Sequence, residues 1–266
     1  YIRRFCTSDQ SENNFIYYVL GKKERHTLAD YVTGVEETST NKIVLYSSAQ
    51  TGKTTELKQL CWELQQSGLY LPVSFEVRTN TKLKRDDLPE SQYVDGREVV
   101  LVIDALDEVN GQKYEDLLEE IGGYAYEHPE MKMVLSCRSN FRRERQLELF
   151  TELFLEELSI DDARDYAAKR EVNSDRFMRS VFANQLEDFI KNPFFLSVLI
   201  DAYKGKGKQL PKTKADIYKL FIKSSYDKEV KEKNVSLSAQ HSFEESVRLL
   251  ERVALGLSLM NAQSLN

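Results

Sequence analysis

A chain of 266 residues, 41% hydrophobic and 30% charged, has the ordinary make-up of a globular protein and can bury one large core or two modest ones. A net charge of −6 gives no electrostatic ground for a nucleic-acid partner. Cys6, Cys61 and Cys137 lack metal-ligand spacing, no apolar run reaches membrane-spanning length and no signal-peptide pattern opens the chain, so the expectation is a cytoplasmic, zinc-free protein with no membrane partner. Tyr in first place rather than Met leads us to expect a piece of a longer protein.

In chain order, residues 1–40 are an approach segment, with an aromatic-rich patch from Phe15 to Leu20 and a short helix expected over Thr27 to Val32. Ile43 to Tyr46 is an apolar strand. A helix follows from Thr54, with Leu57, Leu60, Cys61 and Leu64 on one face and Gly68 as its stop. Leu71 to Val77 reads as a second strand. Residues 79–97 are polar and show no helical pattern, although a crossover between parallel strands usually carries one; either that connection is irregular or residues are absent from it. Val99 to Ile103 is apolar enough for a strand buried on both faces. Tyr114, Leu117, Leu118 and Ile121 mark a helix that stops before Pro129, and Met133 to Cys137 and Leu153 to Leu155 are further strands. Alternating strands and helices over 41–158 predict an α/β domain: three layers around a five-stranded parallel sheet. From Ser159 the pattern turns all-helical, with helices expected at 159–170, 174–191, 193–203, 213–231 and 241–259. The helical domain is placed at 159–232, and 233–266 forms a C-terminal helical segment.

Two motifs carry chemistry. Ser47-Ser48-Ala49-Gln50-Thr51-Gly52-Lys53-Thr54 lies between strand and helix and follows the P-loop pattern Gly-x-x-x-x-Gly-Lys-Ser/Thr, with Ser47 in the first glycine's place. Such a loop turns the backbone N–H groups of Ser48, Ala49, Gln50, Thr51, Gly52, Lys53, Thr54 and Thr55 toward a phosphate, while the helix start adds its positive dipole end. Lys53 supplies a mobile charge, and Thr54 a hydroxyl for Mg²⁺. The second motif is the buried strand ending in Asp104-Ala105-Leu106-Asp107-Glu108, a Walker B element. Asp104 would hold Mg²⁺ opposite Thr54, and Asp107 or Glu108 would orient water against the terminal phosphate. The plain alternative, that Asp107 and Glu108 merely start a solvated loop, suits any one acid, but three acids in five residues repel one another unless a cation lies among them. Arg138, at the end of another buried strand, suits a phosphate sensor at the same sheet edge; the plain alternative is a surface arginine. Pro193 is well placed to open a helix.

Several stretches together resemble the NACHT modules of the STAND class of signalling ATPases. Leu101 to Glu108 resembles their form of four apolar residues before Asp-Gly-Leu-Asp-Glu, with Ala105 for the glycine. Val134 to Arg138 looks like their next strand, ending in Ser/Thr-Ser-Arg, with Cys137 for the second hydroxyl residue. Leu155 to Lys169 is similar to the helix that opens their helical domain, and Lys191 to Leu199 to their Asn-Pro-Leu-Leu-Leu segment. Leu210 to Ile222 follows the same course, so the resemblance runs in order through residues 40–230. It implies ATP/ADP with Mg²⁺, an ADP-bound closed state, exchange for ATP, and domain opening that permits self-oligomerisation. The partners implied are sensor and effector domains of the same full-length protein, in innate-immunity or antiphage signalling. It also implies that Pro193 packs near the adenine, that Arg138 reads the terminal phosphate, and that a winged-helix domain begins within 233–266, with no role assigned to His241. Departures at Ser47, Gln50 and Ala105 bear on the hydrolysis rate more than on binding.

Three rivals stand beside this reading: a nucleotide-gated scaffold that never hydrolyses, a P-loop kinase, and an AAA+ motor. Tyr1-Ile2-Arg3-Arg4 has a faint likeness to the base-contacting entry of NACHT modules, or is a disordered terminus. Arg142, Arg143 and Arg145 are expected on a solvated helix face, with an arginine finger for a neighbouring subunit as the lesser reading, and the Lys204 to Lys214 cluster in a solvated turn rather than a nucleic-acid patch. His26, His128 and His241 lack ligand spacing and are read as structural or surface residues.

Overall fold

Runs of β-branched and other apolar residues form the strands of one sheet, and the strand β2 (Lys42–Ser47) lies at its centre. The computed structural model describes residues 1–8, 25–34, 40–77, 85–109, 112–142, 147–205, 210–232 and 242–259. Around β2 stand β1 (Cys6–Thr7), β3 (Tyr70–Glu76), β4 (Tyr93–Val94), β5 (Arg97–Asp104), β6 (Lys132–Arg138) and β7 (Thr151–Leu155). The order across the sheet is β1-β7-β2-β6-β5-β3, with β4 paired to β5. The run β7-β2-β6-β5-β3 is parallel throughout.

The sheet differs from a purely parallel five-stranded one. It is a mixed, seven-stranded sheet, because β1 joins β7 and β4 joins β5 antiparallel. Each added strand is two residues long, too short to leave a periodic signal. β4 returns to β5 through Asp95 and Gly96, both at positive φ (50° and 75°), the backbone of a tight hairpin. The described part of the connection from β3 to β5, residues 85–96, holds a 3-10 turn at Arg85–Asp87 and β4, and no α-helix.

Alternation along the strands feeds two separate apolar layers. Ile43 and Leu45 face Leu57, Leu60 and Leu64 of α2 (Lys53–Ser67) and Leu28, Tyr31 and Val32 of α1 (Leu28–Thr33). Val44 and Tyr46 face the other way, toward Tyr114, Leu117, Leu118 and Ile121 of α3 (Gln112–Glu127). α1 begins at a capping box in which Thr27 and Asp30 bond each other's backbone N–H groups. The Phe15 to Leu20 patch lies outside the described residues.

The chain divides into two compact units: Tyr1–Ala163 with Lys191–Phe194, and Arg164–Ile190 with Phe195–Asn266. The helical elements after β7 are α4 (Ile160–Lys169), α5 (Ser174–Ala183), α6 (Glu187–Ile190), α7 (Pro193–Gly205), α8 (Lys214–Glu232) and α9 (Phe243–Leu259). The single helix expected over 174–191 is two. Gln185 takes a left-handed φ of 55°, and the reversal lets Leu186 N–H bond Val181 O at 3.1 Å while both side chains bury. In the second unit Phe189, Phe195 and Phe221 form an aromatic cluster, with Phe195 stacked on Phe221 at 4.4 Å. Among the described residues, no helix is long and apolar enough to cross a membrane.

Candidate functional site

The loop after β2 must reverse the chain within a few residues, and it does so through left-handed backbone at Gln50 (φ 61°) and Gly52 (φ 93°). Turns of this kind gather N–H groups into an anion-binding concavity. Ser48, Ala49, Gln50, Thr54 and Thr55 are exposed, and Thr51, Gly52 and Lys53 half-buried. Hydroxyls close the neck of the loop: Ser47 Oγ lies 2.6 Å from Thr51 Oγ1, and Thr51 donates to Ser48 O at 2.8 Å. The serine in the first glycine's position thus has a structural use.

Lys53 opens α2 and folds back over the loop, with Nζ 3.4 Å from Ser47 O and 3.5 Å from Ser48 O. Both contacts are long for N–H···O bonds, so a phosphate oxygen can compete for the ammonium group. Burial lowers the Lys53 pKa; Asp107 pushes it back up, Arg138 lowers it further, and Asp104 raises it slightly. One lysine therefore feels three of the charged groups singled out at this edge, Asp107, Arg138 and Asp104.

Strand register explains that convergence. β6 lies between β2 and β5, pairing Ser47 with Arg138 and Leu45 with Ser136. On its other side β6 pairs Leu135 with Ile103, which brings the next residue, Asp104, beside Ser136. The buried Ser136 hydroxyl donates to Asp104 Oδ1 and accepts from Ala105 N–H at 3.0 Å. Ala105 takes φ 66°, the left-handed conformation that glycine adopts without cost, and turns the chain into the 3-10 turn Leu106–Glu108. There Asp107 is buried with both carboxylate oxygens committed to Arg138: Oδ1 accepts its backbone N–H at 2.9 Å, and Oδ2 meets Nε at 2.8 Å. The Arg138 side chain remains 43% exposed, and Glu108 is exposed on the same turn.

Among the described residues, no three His, Cys, Asp or Glu side chains cluster as a metal site. Mg²⁺ needs less, because it keeps several waters and takes one or two protein oxygens with those of a phosphate. The Asp104 carboxylate and the Thr54 hydroxyl are hard oxygen donors of that kind.

Other expectations resolve differently. Pro193 is the half-buried first residue of α7, with Asn192 Oδ1 accepting Phe194 N–H at 2.9 Å, and strand register does not draw it to the cluster. Arg142 is on no helix face; it follows a 3-10 turn and pairs with Glu152 at 2.5 Å. Arg143, Arg145, Lys206, Lys208 and His241 fall outside the described residues. His128 packs on the Tyr124 ring at 4.4 Å, and His26 on Tyr31 at 5.9 Å.

Of the two readings of Tyr1 to Arg4, the disordered terminus is the one the structure does not bear out. Arg4 is buried and donates to Thr51 O at 2.7 Å and to Glu156 O, while Tyr1 donates to the buried Glu56 on α2 at 2.6 Å. The sequence offers Arg4 only within a faint base-contacting entry and gives Ser136 no site role. No protein-family model matches the chain, and no curated protein matches it.

Proposed function

We propose that this chain is the nucleotide-binding switch of a NACHT-like STAND protein: a P-loop ATPase module that binds ATP or ADP with Mg²⁺. The supporting observation is the convergence of Lys53, Asp104, Asp107 and Arg138 at the carboxyl edge of three adjacent parallel strands, where open α/β sheets take ligands. The loop N–H groups and Lys53 hold the β- and γ-phosphates. Thr54 and Asp104 would hold Mg²⁺, which supplies charge neutralisation there. Glu108 orients the attacking water, since both oxygens of Asp107 are already engaged by Arg138. Arg138, half open to solvent, exchanges part of its contact with Asp107 for the γ-phosphate. Pro193 packs near the adenine. ATP and ADP bias the module only through their differential affinity for its closed and open shapes, and slow hydrolysis resets it. Opening releases sensor and effector domains of the same protein and permits self-association, as in antiphage signalling.

Calorimetry with ATP and ADP, with and without Mg²⁺, tests this reading; uptake of neither sinks it. Glu108→Gln is expected to retain binding and lower single-turnover phosphate release by about 10²- to 10⁴-fold. Equal release from both proteins removes hydrolysis and leaves the non-hydrolysing scaffold.

A further inference from the structure

A buried guanidinium is costly unless its donors are used, and Arg4 is only 6% exposed. Nη1 and Nη2 both donate to backbone carbonyls, at Thr51 in the phosphate loop and at Glu156 just after β7. The segment carrying it is fixed independently. Cys6 and Thr7 pair with Leu155 and Phe154, Glu156 N–H bonds Phe5 O at 2.9 Å, and Cys6 N–H bonds His26 O at 2.9 Å. Burial lowers the pKa of Arg4, while Glu56, Cys6, Tyr1 and Asp162 offset part of that shift.

The carbonyl that Arg4 holds belongs to the peptide between Thr51 and Gly52. The chain has no cis peptide bonds, so this unit is planar and trans, and its C=O and N–H point in opposite directions. Turning the Thr51 carbonyl toward Arg4 therefore turns the Gly52 N–H to the opposite side of the peptide, away from Arg4. Gly52, at φ 93°, is the hinge at which the backbone could otherwise rotate, and a Cβ there would lie 3.8 Å from Arg4 Nη1, ordinary contact. Strain at that φ, not lack of space, restricts the position.

We infer that Arg4 is a positioning residue for phosphate binding: from outside the loop it sets the 51–52 peptide so that the Gly52 N–H faces the phosphates. It touches no ligand itself. This role rests on the nucleotide reading above and adds to it a requirement that the P-loop pattern does not contain. The entry segment and the phosphate loop are then one mechanical unit, and whatever displaces residues 1–7 loosens the grip on the β-phosphate.

The test compares wild type with Arg4→Lys and Arg4→Met, titrated with ADP and with inorganic pyrophosphate, alongside ¹⁵N spectra of the ligand-free proteins. Lysine keeps the charge but lacks the planar fork that spans two carbonyls. The expected result is a loss of about tenfold or more in affinity for both ligands by the same factor. The Gly52 amide resonance should shift while those of β5 and β6 stay in place, which a general loss of stability would not produce. If Arg4→Met does not fold, Arg4→Lys decides. Wild-type binding with unchanged affinity in the variant, or an unmoved Gly52 resonance, overturns this inference alone. Absence of binding in wild type overturns it together with the nucleotide reading.

Discussion

The two units handle polarity in opposite ways. All ten buried polar or charged side chains among the described residues, from Arg4 to Ser136, belong to the sheet unit; the helical unit buries none. Its interior is apolar and aromatic: Phe177 against Tyr203, and Phe221 against the half-buried Phe189 and Phe195. Burying a polar group costs about 1–3 kcal/mol unless it is bonded, so a fold keeps such groups where structure or chemistry requires them. Some in the sheet unit are structural. Lys42 caps the carbonyls of His128 and Pro129 after α3, at 3.1 and 2.6 Å. Six more, Arg4, Ser47, Glu56, Asp104, Asp107 and Ser136, surround the loop after β2 or the adjacent strand ends.

The comparison breaks most visibly if the helical unit does not depend on its aromatic interior. Phe221 is 4% exposed, and Phe221→Ala removes a stacked ring from a packed cluster. The expected destabilisation is about 3–5 kcal/mol, read from hydrogen exchange of peptides covering α7 and α8. Unchanged protection there would mean that the cluster is not that unit's core. A smaller effect is expected in the sheet unit from Ser136→Ala, which leaves Asp104 Oδ1 and Ala105 N–H without the hydroxyl that serves both. Urea denaturation should show a loss of about 1–3 kcal/mol. A neutral result would mean that water replaces the hydroxyl, and that Asp104 is not fixed by this bond.

What was legible in the sequence was local. Short apolar runs marked all five strands of the parallel run, and 3.6-residue spacing the helices behind them, because both signals are complete within a few residues. Ser47 to Thr55 and Asp104 to Glu108 stood out because each packs its chemistry into one short segment. What stayed hidden was long-range. Arg4 meets Thr51 across 47 residues, Ser136 meets Asp104 across 32, and Arg138 meets Asp107 across 31. Each pairing is set by strand order, which no window of sequence contains. The two-residue strands β1 and β4 escaped for a related reason: pairing defines them, not composition. Ala105 illustrates a middle case, read as a small-residue substitution when its visible consequence is a left-handed turn that aims Asp107 inward.

The smallest effect is also the sharpest test of why the sheet unit buries charge. Lys53 has its pKa lowered chiefly by desolvation, so the folded, ligand-free protein holds the proton on Nζ less tightly than the unfolded chain does. The sign follows by linkage. Between the lowered folded pKa and the ordinary lysine value the unfolded state binds more protons, so this residue's contribution to stability rises with pH through that window. Below the window the folded state carries the full unfavourable cost of the half-buried ammonium group, and above it the cost is gone. Lys53→Met removes that charge while keeping most of the stem's packing. It should therefore raise the melting temperature of the ligand-free protein at neutral pH, even as it weakens ADP binding, and the gain should shrink as pH climbs toward the lysine range. Asp107 works against this outcome by favouring the charged form, so a lowered melting temperature would mean that the lysine–carboxylate attraction outweighs desolvation. Lys53 would then stabilise the empty loop, and a bound phosphate would compete with Asp107 for the ammonium group instead of relieving its lost hydration.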